Sequence, residues 1–450
     1  MNLVVIGVGK VGDTLVQNFI QENHDIVVVD TNPAIVESIV NRYDVKGVVG
    51  SCIERDVLIN AGVETADFLI ACTSRDEVNI LCCVLGRKLG AKRTIARVRD
   101  PEYFKEAESM KEMLGLDYAF NPELHTAKEI ASVLKYPSAR NVETFVGNRA
   151  TMAQFEIVEG SPLIDFSLKD ISRKVDKKVL ITVVQRGKEC FIPRGDFVIK
   201  RGDWIQVIAS DQEMIAFCKK MRLFKRPAKN VFIVGGGKIA YYLSNELIKS
   251  GIDVKVVESQ KDRAEELSGM LPRATVIWGD GTDQTILDEE NLKNSDACVA
   301  LTGMDEENVI ISLYAKEQGV GKVVTKVDRE SIIKMVGKLG LDTVVSPKNI
   351  IANHILRFVR AHQAETGNGI NTLYKLHDKV EALEFTVTEK FPKQGVPLRD
   401  LSLKRNMLIG GVVRGDSFIL AQGDCQLLAG DRVIVITAVK QVTDLTQILR

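Results

Sequence analysis

Residues 3–12 read L-V-V-I-G-V-G-K-V-G, and residues 231–240 read V-F-I-V-G-G-G-K-I-A. Each is a short apolar run that breaks into glycines and resumes as a helical pattern, and the two lie 228 positions apart. The acidic residue closing the next apolar run repeats at the same spacing, as Asp30 and Glu258. Thr73, Asp76 and Asn79 return as Thr302, Asp305 and Asn308 at an offset of 229. One glycine loop is a weak signal. A loop, an acid and a T-x-x-D-x-x-N stretch recurring in register mark two nucleotide-binding folds made by duplication.

The rest of each half fits that reading. Apolar runs at 3–6, 26–29, 45–49, 68–72, 94–98 and 118–120 alternate with helical segments such as 11–21 and 78–89, which predicts a parallel, doubly wound sheet. From about Val142 the texture changes to β-branched runs at 151–158, 179–184, 191–192 and 204–208, punctuated by Gly and Pro, and predicts a small β-rich domain. Its punctuation is duplicated too: Arg186-Gly187, Gly195-Asp196 and Gly202-Asp203 return 228 residues later as Arg414-Gly415, Gly423-Asp424 and Gly430-Asp431. The predicted fold class is therefore α/β, with two Rossmann-type sheets over 1–122 and 229–348, each followed by a small α+β domain, over 141–224 and 370–450. Composition places linkers at Tyr136-Pro137, at Lys225-Arg226-Pro227-Ala228 and over residues 365–371.

In the first half, Gly7 suits the tight turn out of the strand and Gly9 a close approach of backbone to pyrophosphate. Gly12 lets helix pack on sheet, so that the helix N-terminus faces the phosphates. Asp30 is placed to accept hydrogen bonds from both ribose hydroxyls of an adenosine and to repel a 2′-phosphate. Thr73 and Ser74, at the carboxyl end of the fourth strand, either contact ribose or phosphate or cap the following helix. Arg97 ends the fifth strand as a base for phosphate, and Lys326 is its counterpart. The second half differs by Ala240 in place of Gly12, Glu258 in place of Asp30, and a point charge in place of the planar guanidinium. The two sites are therefore expected to be non-equivalent, the first being better suited to a dinucleotide. NAD, NADH, ATP and ADP all satisfy this residue set.

With 450 residues, 60 Lys plus Arg against 60 Asp plus Glu, and no apolar run long enough for a bilayer, composition points to several soluble domains in the cytosol and to no nucleic-acid partner. Eight cysteines without C-x-x-C spacing read as buried small hydrophobes. None of the five histidines recurs in both halves, and no Lys–Tyr or metal-ligand constellation repeats. The reading is a non-enzymatic regulator. An NAD-dependent oxidoreductase, or a nucleotide sensor acting on another partner, is the alternative.

Taken together, G-V-G-K-V-G, D-I-V-V-V-D, A-C-T-S-R-D-E-V-N and A-R-V-R-D-P-E-Y, followed by the small domain and then the second copy, resemble the TrkA family of cytosolic nucleotide-binding subunits of Trk potassium uptake systems. The resemblance covers essentially the whole chain. It implies two regulator-of-potassium-conductance units per chain and a homo-oligomeric ring, expected to be a tetramer. That ring would be peripheral at the inner face of the cell membrane, beneath a Trk-type potassium channel subunit that it gates. It further implies that Gly7, Val8, Gly9, Lys10, Val11, Asp30, Thr73, Ser74 and Arg97 line the first site, with Gly235, Gly236, Gly237, Lys238, Ile239, Glu258, Thr302 and Lys326 their equivalents. The turn after the third strand often reads G-D in this family, as in Gly279-Asp280, whereas the first half has Gly50-Ser51-Cys52; Ser51 and Asp280 are the expected contacts there. The helices around residues 79–89 and 308–316 are the candidates for contacts between Rossmann domains.

Overall fold

The structure is a computed structural model, which describes residues 1–450 except 137, 148, 175–178, 222–227, 342, 363–369, 378–379 and 440–441. The proposed linker residues Pro137, Lys225, Arg226, Pro227 and 365–369 thus lie outside the described residues.

The first half opens with β1 (Asn2–Ile6), β2 (Asp25–Asp30), β3 (Lys46–Val49), β4 (Phe68–Ala71), β5 (Thr94–Arg97) and β6 (Tyr118–Phe120). They pair in parallel in the order β3-β2-β1-β4-β5-β6, which puts the strand-order reversal between β1 and β4. Its small domain is the antiparallel sheet of β7 (Ala139–Phe145), β8 (Ala150–Glu156), β9 (Leu180–Arg186), β10 (Glu189–Phe191) and β11 (Trp204–Ala209), ordered β10-β9-β11-β8-β7. The second half repeats both sheets. The parallel one comprises β12 (Asn230–Val234), β13 (Asp253–Glu258), β14 (Thr275–Trp278), β15 (Ala297–Ala300), β16 (Lys322–Lys326) and β17 (Val344–Val345), in the order β14-β13-β12-β15-β16-β17. The antiparallel one comprises β18 (Ile370–His377), β19 (Val380–Thr386), β20 (Met407–Arg414), β21 (Ser417–Leu420) and β22 (Arg432–Thr437), in the order β18-β19-β22-β20-β21.

The repeated glycine–aspartate punctuation has a structural purpose. Gly187 and Gly415 turn with φ 61 and 58, and Gly202 and Gly430 with φ 81 and 88. Each turn pair delivers a buried aspartate to an arginine: Nε and Nη2 of Arg186 donate to the two Asp203 oxygens at 2.8 Å, and Arg414 repeats the fork on Asp431.

The two halves are joined by exchange. Helix Pro122–Lys135, which follows β6, buries Ala127, Ile130 and Leu134 against Val231, Ile233, Leu243 and Leu247 of the second Rossmann domain. Helix Pro347–Ala361 returns the arrangement by burying Ile351, Ile355, Leu356 and Val359 against Leu3, Val5, Leu15 and Phe19 of the first. Burying such side chains contributes about 1.5–3 kcal/mol each, so neither sheet completes its core alone. Polar contacts follow the same path: Arg360 Nε donates to Glu22 at 2.6 Å and its Nη1 to Glu381 at 3.2 Å. The small sheets stack through Phe145, Met152 and Ile208 on one side and Tyr374, Ala382 and Ile436 on the other. Tyr136, placed in a linker by its composition, is buried, and its hydroxyl donates to Asp211 at 2.9 Å.

Candidate functional site

At the switch point between β1 and β4 a cavity of about 290 Å³ opens, lined among others by Gly7, Gly9, Asp30, Thr73, Ser74 and Arg97. Open α/β sheets take their ligands at this position. Gly7 has φ +82, and a Cβ there would sit 2.7 Å from the Thr73 backbone nitrogen. At Gly9 a Cβ would meet nothing within 4 Å, so the backbone is bare where a phosphate would approach. A Cβ on Gly12 would collide with the Gly7 carbonyl oxygen. Val8 and Gly12 are buried, Lys10 is exposed and Val11 is half-buried; none of the four lines the cavity. Ser51 is also outside the lining, which takes its neighbours Gly50 and Cys52 instead.

The Asp30 carboxylate already accepts the Val8 and Asn32 N–H groups, each at 3.0 Å, one per oxygen. Each oxygen retains a lone pair, so the acid is oriented by the loop and still able to accept hydroxyls. The second half builds the same arrangement with Glu258, which accepts Gly236 N at 2.6 Å and Gln260 N at 2.8 Å. Room for the longer side chain comes from Gly236, where a Cβ would lie 2.9 Å from Glu258 Oε2.

Thr73 does not cap the helix that follows it. The N-cap of helix Asp76–Leu89 is Arg75, with no side-chain cap bond, and the Thr73 hydroxyl donates to Asn79 Oδ1 at 2.7 Å while accepting the Arg75 N–H at 3.3 Å. Ser74 is exposed at the cavity rim. Asn79 is fully buried; its Oδ1 accepts Thr73 N at 2.8 Å, and its Nδ2 donates to Arg97 O at 2.9 Å. Asn308 makes the same bonds to Thr302 N and Lys326 O at 2.8 and 3.1 Å. These asparagines tie the ends of the fourth and fifth strands together. The sequence displayed them as a repeat without revealing the task.

Arg97 lines the cavity; its Nη1 is 3.4 Å from Cys72 O and its Nε–H has no partner. Burial, assisted by Arg99, lowers its pKa, a cost that an anion in the cavity would offset. Lys326 donates to Thr302 O at 2.6 Å. Burial lowers its pKa, with Asp328, Asp305 and Glu123 opposing and Lys10 adding to the shift. Lys10 and Glu123 belong to the first half, so the two strand-end regions share one electrostatic environment. Glu123 was not foreseen. It pairs with Arg99 at 2.6 Å, its second oxygen is buried without a partner, and no repeat marks it because Lys348 stands in the equivalent place. In the second glycine loop Gly235 has φ +99 and Gly237 is open, Lys238 is exposed, Ile239 half-buried and Ala240 buried. Asp280 is exposed, with its pKa lowered by the N–H and hydroxyl of Thr282 at 2.9 and 2.7 Å.

A second cavity, of about 610 Å³, lies where the halves meet, between the exchanged helices and the small sheets. Arg357 lies over the Tyr374 ring at 3.7 Å and 4.0 Å from Glu143, and the rings of His125 and His354 are 4.3 Å apart. Burial pushes Glu129 up to about 7 and Glu143 up to about 8 against the attraction of Arg357, and pushes His125 down to about 4.

Sheet order, strand-end geometry and the companion domains define a protein of two tandem Rossmann-type units. The TrkA-N domain profile matches residues 3–122 and 231–347, and the TrkA-C domain profile matches 152–222 and 382–450. The chain belongs to the TrkA family. It is 32% identical over 453 residues, all of both chains, to the Trk system potassium uptake protein TrkA homolog of Archaeoglobus fulgidus. It is 29% identical to the Trk system potassium uptake protein TrkA of Haemophilus influenzae, over 97% of this chain and 95% of that one. Among solved structures, the GsuK RCK domain superposes with a TM-score of 0.65 at 17% identity, covering 97% of this chain and 92% of that one. The GsuK channel bound to NAD gives a TM-score of 0.65 as well, over 97% and 76%. No described helix is long and apolar enough to cross a membrane.

Proposed function

We propose that this chain is the nucleotide-binding regulatory subunit of a Trk-type potassium uptake system. It acts from the cytoplasmic face on a membrane channel subunit and does no chemistry of its own. The observation that carries this is the full-length match to Trk system potassium uptake proteins, both units included. The first cavity would hold an adenine dinucleotide, NAD or NADH: Gly9 would leave room for its pyrophosphate, Asp30 would accept its ribose hydroxyls and Arg97 would offset its remaining charge. ATP or ADP is the alternative occupant, above all in the second half. A change of angle between the lobes, which the exchanged helices couple, transmits occupancy to the channel.

Two further features support the reading. Among the described residues, the titratable ones lining the first cavity are Asp30, Arg97, Cys52 and Cys72, with no His, Lys or Tyr for the acid–base work that hydride transfer needs, and burial pushes the Cys72 thiol up to about 12. In addition, Leu81 and Ile310 occupy the same place in the repeated helix and are 46% and 60% exposed, as contacts in a ring of homo-oligomers require. Co-expression with a Trk-type membrane subunit tests the proposal. Co-elution from detergent as one complex larger than a monomer is expected; separate elution, or reproducible oxidation of a small substrate by the chain, would contradict it.

A further inference from the structure

Trp278 ends β14 on the surface. It is 62% exposed, so its ring forgoes the burial by which an indole stabilises a core. It is nevertheless held in place: the indole Nε1 donates to Ser259 O at 3.1 Å, and Lys261 Nζ lies over the ring, 5.5 Å from its centroid. Trp278 pairs in register with Glu258 on the neighbouring strand, so the two side chains leave the same face of the sheet, and the bond to Ser259 lays the ring beside the acid.

The first unit has no ring at this place. Gly50 N donates to Asp30 O and Gly279 N to Glu258 O, which aligns Val49 with Trp278; the offset of 228 from Asp30 to Glu258 aligns Thr31, Pro33 and Ile35 with Ser259, Lys261 and Arg263. Thr31 and Ile35 line the first cavity, so the segment to which Trp278 bonds is the one that walls the ligand space in the other unit. Arg263, in place of Ile35, donates from Nε to Gly236 O at 2.9 Å, while Gly236 N donates to Glu258. The second unit thus fixes its glycine loop, its acid and an aromatic ring in one arrangement, and the first shows that the fold itself does not require it.

We propose that Trp278 is the base platform of the second nucleotide site: with the ribose hydroxyls on Glu258, the adenine of ATP or ADP stacks on the indole face turned away from Lys261. The base leaves the ribose at the carbon next to the 2′-hydroxyl, which brings it towards a ring that stands beside the acid. Stacking strengthens the hold on a single nucleoside and asks for no second one, so it suits a mononucleotide better than a dinucleotide. The inference rests on the nucleotide reading of the second unit and adds the residue that holds the base.

Trp204 and Trp278 are the two tryptophans of the chain. The test uses the full-length chain carrying Trp204→Phe, which leaves Trp278 as the sole indole, and Gly9→Asp, which closes the first glycine loop; ATP is titrated in and followed by emission and by calorimetry. Saturable quenching with the same midpoint as the heat is expected, with no change of emission on adding inorganic tripolyphosphate. Trp278→Leu should weaken ATP roughly tenfold, and Trp278→Phe should keep most of the affinity. Heat of binding with unchanged emission, equal quenching by tripolyphosphate, or unchanged affinity in Trp278→Leu would overturn the stacking and leave the nucleotide reading standing. Absence of any ATP heat would overturn both. Emission that follows protein concentration instead of ATP would place the ring between copies of the chain and overturn the proposal as well.

Discussion

Val8 and Asp30 in one unit, and Gly236 and Glu258 in the other, solve one spatial problem in two ways. Both acids receive one N–H from the glycine loop and one from the residue two positions beyond the acid, and the longer glutamate fits because position 236 has no Cβ. Gly236→Val should therefore destabilise the second unit by about 1–3 kcal/mol, the cost of overpacking a tight site, and adding Glu258→Asp should recover most of it. Thermal melts of the single and double variants read this directly, and additive losses would refute the pairing. Asp30 makes a ligand prediction of its own. Asp30→Ala should weaken NAD by roughly tenfold, about 1.4 kcal/mol, and NADP should bind wild type at least that much more weakly than NAD, because a carboxylate at that point repels a 2′-phosphate. Calorimetric titration measures both, and equal affinities for NAD and NADP would remove Asp30 from its proposed role. These acids were legible in the sequence because they repeat. The Val8-for-Gly236 exchange was equally visible, but its meaning needed coordinates.

At the scale of elements, strand periodicity located all six strands of the first sheet to within a residue or two, as continuous apolar runs bounded by turns do when both faces of a sheet are covered. Strand β7 escaped because A-R-N-V-E-T-F is a polar edge strand whose register slips between Ala139 and Val142. The exchanged helices were illegible for a different reason. Ala127, Ile130 and Leu134 announce an amphipathic helix, but a helical stripe says only that some surface will cover it, and here that surface lies in the other half. Ile355 is fully buried in the first Rossmann core although it belongs to the second half. Ile355→Ala should accordingly cost about 2–5 kcal/mol and loosen the first unit more than the second. Hydrogen exchange on the full chain should place the lost protection in β1 and helix Lys10–Ile20; loss confined to the second sheet would contradict the exchange.

For the whole molecule, the junction between halves encloses two carboxyls beside Arg357. Folding raises the proton affinity of Glu129 to about 7 and of Glu143 to about 8, so between the unfolded carboxyl value, about 4.3, and those values the folded chain binds more protons than the unfolded one. Stability must therefore fall as pH rises through that window. His125, lowered to about 4, has the opposite slope, but only below its unfolded value of 6.5. From about pH 7 to 8.5 the carboxyls act without that opposition, so the melting temperature should drop over this range, and Glu143→Gln should flatten the drop. A wild-type melting temperature that rises over the same range would show that the cavity does not hold these groups protonated. The central claim concerns the assembly rather than the chain alone: nucleotide bound at the glycine loop sets the state of a potassium channel. It is tested most directly by potassium flux through a Trk-type channel subunit in proteoliposomes, with and without this chain, NADH, NAD and ATP. Flux that responds to nucleotide only when the chain is present, and that loses the response with Gly9→Asp, is the predicted result; flux indifferent to the chain, or equally responsive to nucleotide with Gly9→Asp, would contradict it.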